Sequence, residues 1–267
     1  MSTLAPPRRT PAPIRLALAA AAALVALALV AMTAYSLLDL ASRNTTTERA
    51  SYEGVRTLVV EDAGDVRLTA APAGGPVEVV ARVTEGLSAP SRSAERGAGG
   101  ALRLAAACPG FLGGQCDVSY VIRVPAGTRV SIASDGGDVV AEDLASLHPI
   151  ELDSSGGDVE VVDVSAPSIV LATSAGDVEA RGLSSERIDA ESSAGDVVMA
   201  LRTAPDRLRA HSSAGDVELL VPDAVYRLDA SSSAGDVETG NVRTDPGSER
   251  AITARSSAGD VRIAVRN

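Results

Sequence analysis

Seven aspartates recur at near-regular spacing: Asp138, Asp158, Asp177, Asp196, Asp216, Asp236 and Asp260, at steps of 20, 19, 19, 20, 20 and 24 residues. Each follows a glycine (Gly137, Gly157, Gly176, Gly195, Gly215, Gly235, Gly259) and precedes a valine. Brought into register, such carboxylates would lie near 5 Å apart, and each neighbouring pair would repel by ~1 kcal/mol in water or ~3.5 kcal/mol at an effective dielectric of 20. Something must offset that repulsion. The favoured answer is an Asx-type turn, in which each carboxylate accepts backbone N–H bonds at its own corner, helped by the Ser or Thr four residues earlier. The competing answer is a row of Ca²⁺ ions, which oxygen ligands stacked along a coil would suit. Against calcium, the spacing is not the nonapeptide of calcium-binding β-rolls, and each copy offers one carboxylate at a fixed offset. The expectation is therefore no obligate metal and no cofactor.

Other chemistry has little support. The two histidines are His148, in a loop before Pro149, and His211, at an outward position of its segment. Both read as surface residues rather than ligands or bases. No Gly-x-Ser-x-Gly elbow, His-Glu-x-x-His helix or phosphate-binding Gly-Lys loop occurs. The many serines are accounted for as turn and ladder residues, with no base paired to them. The expectation is a protein that is not an enzyme, with no catalytic residues.

The elements that position the aspartates follow from their offsets. Eight residues before each stand Val130, Ile150, Ile169, Ile188, Leu208, Leu228 and Ile252; six before stand Ile132, Leu152, Leu171, Ala190, Ala210, Ala230 and Ala254. Ser134, Ser154, Thr173, Ser192, Ser212, Ser232 and Ser256 stand four before. Polar residues such as Glu151, Asp189, Arg209 and Asp229 fill the odd offsets. Period-two alternation flanking a Gly-containing turn is a strand–turn–strand pattern. A fixed period near 20 means that each unit buries its apolar face by stacking on its neighbours. A hairpin array would give a sandwich or barrel instead, but in-register stacking explains why identical residues recur at identical offsets. The predicted fold is all-β: a parallel β-helix or solenoid of ~20-residue coils, with seven coils making a rod of roughly 30 Å. The repeated glycines read as corners needing positive φ.

Composition agrees. The 267 residues include one Phe, four Tyr and no Trp, too few rings for an ordinary core but enough for ladders of Val, Ile, Leu and Ala. All basic residues are Arg, a bias suggesting a high-GC bacterial genome. Leu16 to Leu38 is a run of 23 uncharged, mostly apolar positions, roughly 34 Å as a helix and enough to span a bilayer. Arg8, Arg9 and Arg15 precede it and Asp39 follows, which predicts a cytoplasmic N-terminus. The run is longer than the 7–15 apolar residues of a cleaved signal peptide, and Met32-Thr33-Ala34 is a poor cleavage site. The organisation read from the sequence is a cytoplasmic Pro/Arg tail (1–13), a transmembrane helix (14–38), a polar stalk (39–54), irregular N-terminal β coils with a Cys loop (55–129) and regular solenoid repeats (130–267). Asn44-Thr45-Thr46 matches a glycosylation sequon but reads as solvated linker. Residues 86–100 read as a mobile excursion. Ala63-Gly64-Asp65-Val66 is an eighth copy of the turn, out of phase with the apolar residues before it. Cys108 and Cys116 frame a turn-rich loop and are expected to form a disulfide outside the cytoplasm, worth roughly 2.5 kcal/mol; two thiols with no nearby His make a weak metal site.

A single span followed by serial Ser-Ser-Ala-Gly-Asp-Val units resembles the bacterial putative-adhesin family of membrane proteins with β-strand repeats. The resemblance covers roughly 55–267, with 130–267 carrying most of it. It implies a β-helical, extracytoplasmic, adhesin-like domain; the adhesin name itself rests on architecture. Beyond the anchor, 21 Arg stand against 35 acids, a net of −14, which excludes nucleic acid and anionic headgroups as general electrostatic partners. Three functional readings follow. The first is a membrane-anchored surface-binding module recognising envelope polysaccharide or a surface protein. The second is a scaffold associating end to end through an uncapped C-terminal coil at Asp260–Asn267, unless Arg262 and Arg266 block that edge. The third is an envelope-stress accessory protein.

Overall fold

A computed structural model describes residues 12–108, 116–145 and 148–266. One helix, Ala12–Ala41, precedes an all-β domain. Within it Ala20–Ala41 is long and apolar enough to cross a membrane, and its apolar stretch is not buried against other described residues. The helix C-terminus is tied to the β domain at Asp39, whose buried carboxylate accepts the N–H of Leu87 at 2.8 Å.

The β domain is a solenoid of two facing sheets, with eleven strands in each among the described residues. Each winding gives one strand to the first sheet, turns through Gly-Asp, and gives the next strand to the second sheet. Strands Ile150–Ser154, Ser168–Thr173, Arg187–Ser192 and Arg207–Ser212 pair in parallel, with Ile150, Ile169, Ile188 and Leu208 level with one another. Val159–Val162, Val178–Leu183, Val197–Leu201 and Val217–Val221 do the same opposite them. Side chains eight and six residues before the Asp, and one and three after it, point between the sheets: Ile169, Leu171, Val178 and Ala180 are fully buried, as are their equivalents in the adjoining windings. Ladders of branched aliphatic side chains at a strand spacing of ~4.8 Å thus replace aromatic packing, and eleven strands extend over ~48 Å.

Sequence order is broken at the far end of the stack. The winding of Asp260 does not lie beyond that of Asp236; it lies between the windings of Asp216 and Asp236. Ala251–Ser256 pairs with Arg207–Ser212 on one side and Val225–Ser232 on the other, and Val261–Val265 lies between Val217–Val221 and Val237–Thr239. The expected uncapped coil at Asp260–Asn267 is therefore corrected: through Arg266 this segment is interior to the stack, and the outermost winding is 225–239. The reason is composition. Ile252, Ala254, Val261 and Ile263 are all apolar and almost wholly buried, whereas the outer winding presents Thr239 at the position of Ile263. The more apolar winding takes the covered place.

The helix-proximal end differs from expectation in two ways. Asn44–Tyr52, read as a stalk, is an edge strand antiparallel to Val77–Glu85, which is itself antiparallel to Asp117–Val124. Residues 91–96, read as part of an excursion, form a strand antiparallel to Ala101–Ala107. As read from the sequence, the Asp65 turn is out of phase with the apolar residues before it, yet it joins the stack, with Val66 level with Val139. Its register is restored by an irregularity after Val60, where Asp62 adopts φ 53°. Across this end Arg92 donates to both carboxylate oxygens of Glu48, linking the outermost strands of the two sheets, and the Arg96 guanidinium lies 5.3 Å from the Tyr52 ring centroid. Cys108 and Cys116, which end one strand of the first sheet and begin one of the second, are disulfide-bonded with Cα atoms 5.7 Å apart. The loop between them, like the tail 1–11, lies outside the described residues.

The turn glycines are not there for positive φ. Gly137, Gly157, Gly176, Gly195, Gly215 and Gly235 lie outside that region; left-handed residues stand instead just after the second-sheet strand, at Asp143 (55°) and Asp163 (54°), or at an irregularity near its end, at Gly182 (70°). What the turn requires is close approach. A Cβ on Gly176 would sit 2.3 Å from the carbonyl oxygen of Gly157, and one on Gly195 2.2 Å from that of Gly176. Replacing Gly176 by Ala should therefore destabilise the fold by roughly 2–3 kcal/mol or more in denaturant titration. Gly136→Ala, where a Cβ meets nothing within 4 Å, should stay within ~0.5 kcal/mol of the parent.

Candidate functional site

The structure stacks eight aspartates, in the order Asp65, Asp138, Asp158, Asp177, Asp196, Asp216, Asp260, Asp236. Each carboxylate accepts the backbone N–H of the next Asp along the row. Asp138 donates to Asp65 Oδ1 at 3.1 Å, Asp158 to Asp138 at 3.0 Å, Asp177 to Asp158 and Asp196 to Asp177 at 2.8 Å. Asp216 donates to Asp196 and Asp260 to Asp216 at 2.7 Å, and Asp236 to Asp260 at 2.9 Å. The sequence placed these bonds within each corner. They run instead between windings, because the extended turn aims the carboxylate along the stack.

A second row stands behind the first. Ser134 Oγ donates to the Gly64 carbonyl, Ser154 to that of Gly137, Thr173 Oγ1 to Gly157, Ser192 to Gly176, Ser212 to Gly195, Ser256 to Gly215 and Ser232 to Gly259, at 2.7–2.9 Å. Gly157 and Gly176 return the interaction by donating their own N–H to Ser154 and Thr173 within the same turn. All but Ser232, on the outermost winding, are buried; the expected hydroxyl ladder runs to backbone carbonyls rather than from hydroxyl to hydroxyl. With one oxygen of each carboxylate held in this way, the row is first of all a staple. No group of three or more His, Cys, Asp or Glu with metal-holding geometry occurs among the described residues. Charge is relieved at the far end by Arg262, which lies 2.7 Å from Asp260, 3.2 Å from Glu218, 3.7 Å from Asp216 and 3.8 Å from Glu238. At the near end Asp117 is pressed against Asp65. Burial, then the Asp65 charge, raise its carboxyl above the usual range.

The arrangement best suited to meet a ligand lies elsewhere, on the outer face of the first sheet. There the in-register strands put Asp189, Arg209 and Thr253 in one line and Glu191, His211 and Arg255 in the next. These six side chains line a shallow depression. Burial raises the Asp189 carboxyl above its ordinary value, against the pull of Arg209. Arg255 also reaches Asp229 at 2.7 Å on the following strand. Ser213 Oγ is 3.5 Å from His211 Nε2, too long for activation of a nucleophile. His148 is exposed before Pro149. The sequence reading set Asp189, Arg209 and His211 outward but did not see them as a group. Adjacent windings bring them within ~5 Å of one another, a relation visible only once the repeats are superposed.

Asp177→Ala, which takes away the acceptor for the Asp196 N–H, should cost ~1–2 kcal/mol of unfolding free energy, while Asp177→Asn, retaining an oxygen, should cost less than half as much. A chelator should leave the melting temperature of both unchanged if the row needs no cation. Asp117 supplies a pH test. A carboxyl whose pKa is raised on folding favours the fold below its unfolded value near 3.9 and loses that contribution as pH rises through the folded value. Asp117→Asn should accordingly raise the melting temperature at pH 7 and give no gain at about pH 3.

No curated protein matches the chain. Among solved structures, similarity extends to a putative adhesin of Bacteroides fragilis NCTC 9343, with 12% identity, 83% of this chain and 97% of that one covered, and a TM-score of 0.47. A putative adhesin of Parabacteroides merdae ATCC 43184 matches at 9% identity over 83% of this chain and 96% of that one, TM-score 0.44. A putative cell adhesion protein of Clostridium sporogenes ATCC 15579 matches at 11% identity over 84% and 100%, TM-score 0.39. The model of the Toastrack DUF4097 family matches residues 112–267, more than half of the sequence, and the chain belongs to that family.

Proposed function

We propose that this protein is a membrane-anchored, non-catalytic recognition rod of adhesin type. Its helix spans the bilayer with the N-terminus cytoplasmic, and its solenoid stands outside and binds envelope polysaccharide. The carrying observation is the rigid grid of Asp189, Glu191, Arg209, His211 and Arg255 on the first sheet. Carboxylates that accept from paired hydroxyls alternate there with guanidinium groups that donate to ring and hydroxyl oxygens. Parallel pairing fixes their spacing with no loop to order on binding, which limits the entropic cost. The depression has no large apolar anchor of the kind that dominates protein–protein hot spots, so a polyhydroxylated ligand suits it better.

One observation favours a second reading, a surface-protein ligand. On the outer face of the second sheet Val198, Ala200, Leu220 and Ala264 form an apolar patch between Arg181 and Arg262, which would seat an apolar side chain of a partner. Titration calorimetry of the full chain in detergent against purified envelope polysaccharides separates the two readings. Binding to a polysaccharide should weaken at least about tenfold in Arg209→Ala and in Asp189→Asn, a loss of one or two charge-assisted hydrogen bonds, and should be unaffected by Leu220→Ser. Sensitivity to Leu220→Ser alone, or no polysaccharide binding at all, would overturn the glycan reading.

A further inference from the structure

At the end of the stack away from the helix the hydrogen-bonding grammar stops unfinished. The windings from Asp65 to Asp260 each give an Asp Oδ1 to the next winding's N–H, and the row ends at Asp236. The core is uncovered there as well. Val237 is 42% exposed and Leu228 and Ala230 are half-buried, against 0% for Val261, Ile252 and Ala254 at the same positions one winding inward. Arg227 and Ser233 donate their N–H groups inward, to Arg250 and Ser256. By the alternation of a parallel ladder, the N–H and C=O groups of Leu228, Ala230 and Ser232 face the open side. Arg243–Thr244 covers only Val225 and Tyr226.

We propose that this edge is the docking surface for the same edge of a second copy of this chain, the two joining antiparallel about a two-fold axis normal to the sheets. Side chains opposite one another in an antiparallel pair must share a face, so the symmetry centre falls on a residue. Centring on Leu228 would run the partner into the strand that covers Tyr226. Centring on Asp229 would set two carboxylates against each other. Centring on Ala230 pairs Leu228 with Ser232 inside, sets Ala230 against itself, and places Asp229 opposite Ser231, a hydroxyl donor, outside. Val237–Thr239, the outermost strand of the other sheet, lies at the same end of the stack and would face its own copy there. Head-to-tail growth is blocked at the other end, where Asn44–Tyr52 begins just after the helix and the Arg92–Glu48 pair closes the gap between the sheets. The association therefore closes at two. It goes beyond the glycan reading and does not need it. If the helix is the membrane anchor, the two anchors lie at opposite ends of the doubled solenoid, and the contact joins two apposed membranes.

Sedimentation of the full chain in detergent tests the dimer. Residues 130–267 carry 11 Arg and 25 acids, so the two ends repel through space, and association should tighten between about 0.05 and 0.5 M salt as that repulsion is screened. Ser231→Asp, opposite Asp229 of the partner copy, should weaken the dimer at least about tenfold, and Ser231→Arg should strengthen it. Ala230→Cys, whose two copies would stand directly opposite each other about 5.5 Å apart at Cα, should cross-link to itself as a disulfide on mild oxidation; Cys108 and Cys116, being disulfide-bonded, contribute no thiol. The polysaccharide affinity of these variants should equal that of the parent, which keeps this result separate from the glycan site. A monomer at every concentration and salt would overturn the proposal. So would equal dimerisation of the two Ser231 variants, or a dimer that Ala230→Cys does not cross-link. Vesicles reconstituted with the full chain should then cluster, and those with Ser231→Asp should not; a detergent dimer that leaves vesicles dispersed would overturn the placement between membranes.

Discussion

The structure rests on one contact repeated along an edge: a turn so close to its neighbour that no side chain fits between them. The spacing of β windings is fixed at ~4.8 Å by backbone hydrogen bonding. At the Gly-Asp corner this leaves the carbonyl of one glycine where the Cβ of the next would stand. Two hydrogen bonds occupy the gap, Asp Oδ1 to the next Asp N–H and Ser or Thr hydroxyl to the previous Gly carbonyl. The backbone polar groups of a corner, which lie beyond the ends of the strands, are thereby paired without water. An aligned carboxylate row would be costly if its oxygens were idle. Here each carboxylate receives a charge-assisted bond of the sort that outweighs the ~1 kcal/mol repulsion of an exposed neighbour.

From this edge the rest of the fold follows. A winding pinned at one corner has its strands pinned in register, and register decides which residues face inward. That is why Ala190, Ala210 and Ala254 can serve as core residues beside Ile188, Leu208 and Ile252: the sheets are held by their edge as much as by the volume between them. It is also why the outward residues form a lattice. Asp189, Arg209 and Thr253 occupy neighbouring strands at one level, and a change in the repeat length of a single winding is absorbed in the connections, as between Asp236 and Asp260, without disturbing that level.

Much of this was legible because a repeat reports its own contacts. The residues eight, six and four before each Asp, and the valine after it, named the buried ladders directly, and in-register stacking explained them. Three things were hidden. The order of the last two windings could not be read, since Leu228, Ala230, Ser232 and Val237 match Ile252, Ala254, Ser256 and Val261 position by position; the 24-residue step and Thr239 were the only clues. The strand Asn44–Tyr52 carries no apolar alternation because it is an exposed edge, so its sequence resembles a linker. The role of the glycines was misjudged because sequence records that a side chain is missing without recording whether torsion or crowding removed it. The polar grid on the first sheet was missed for a related reason: its members are about 20 residues apart in sequence and one strand apart in space.

While the chain is being made, residues 225–239 emerge before residues 251–265, yet it is the later segment that takes the place against the Asp216 winding. At this end of the molecule the order of layers therefore reverses the order of synthesis, and the earlier winding is held against the rest of the stack through the later one.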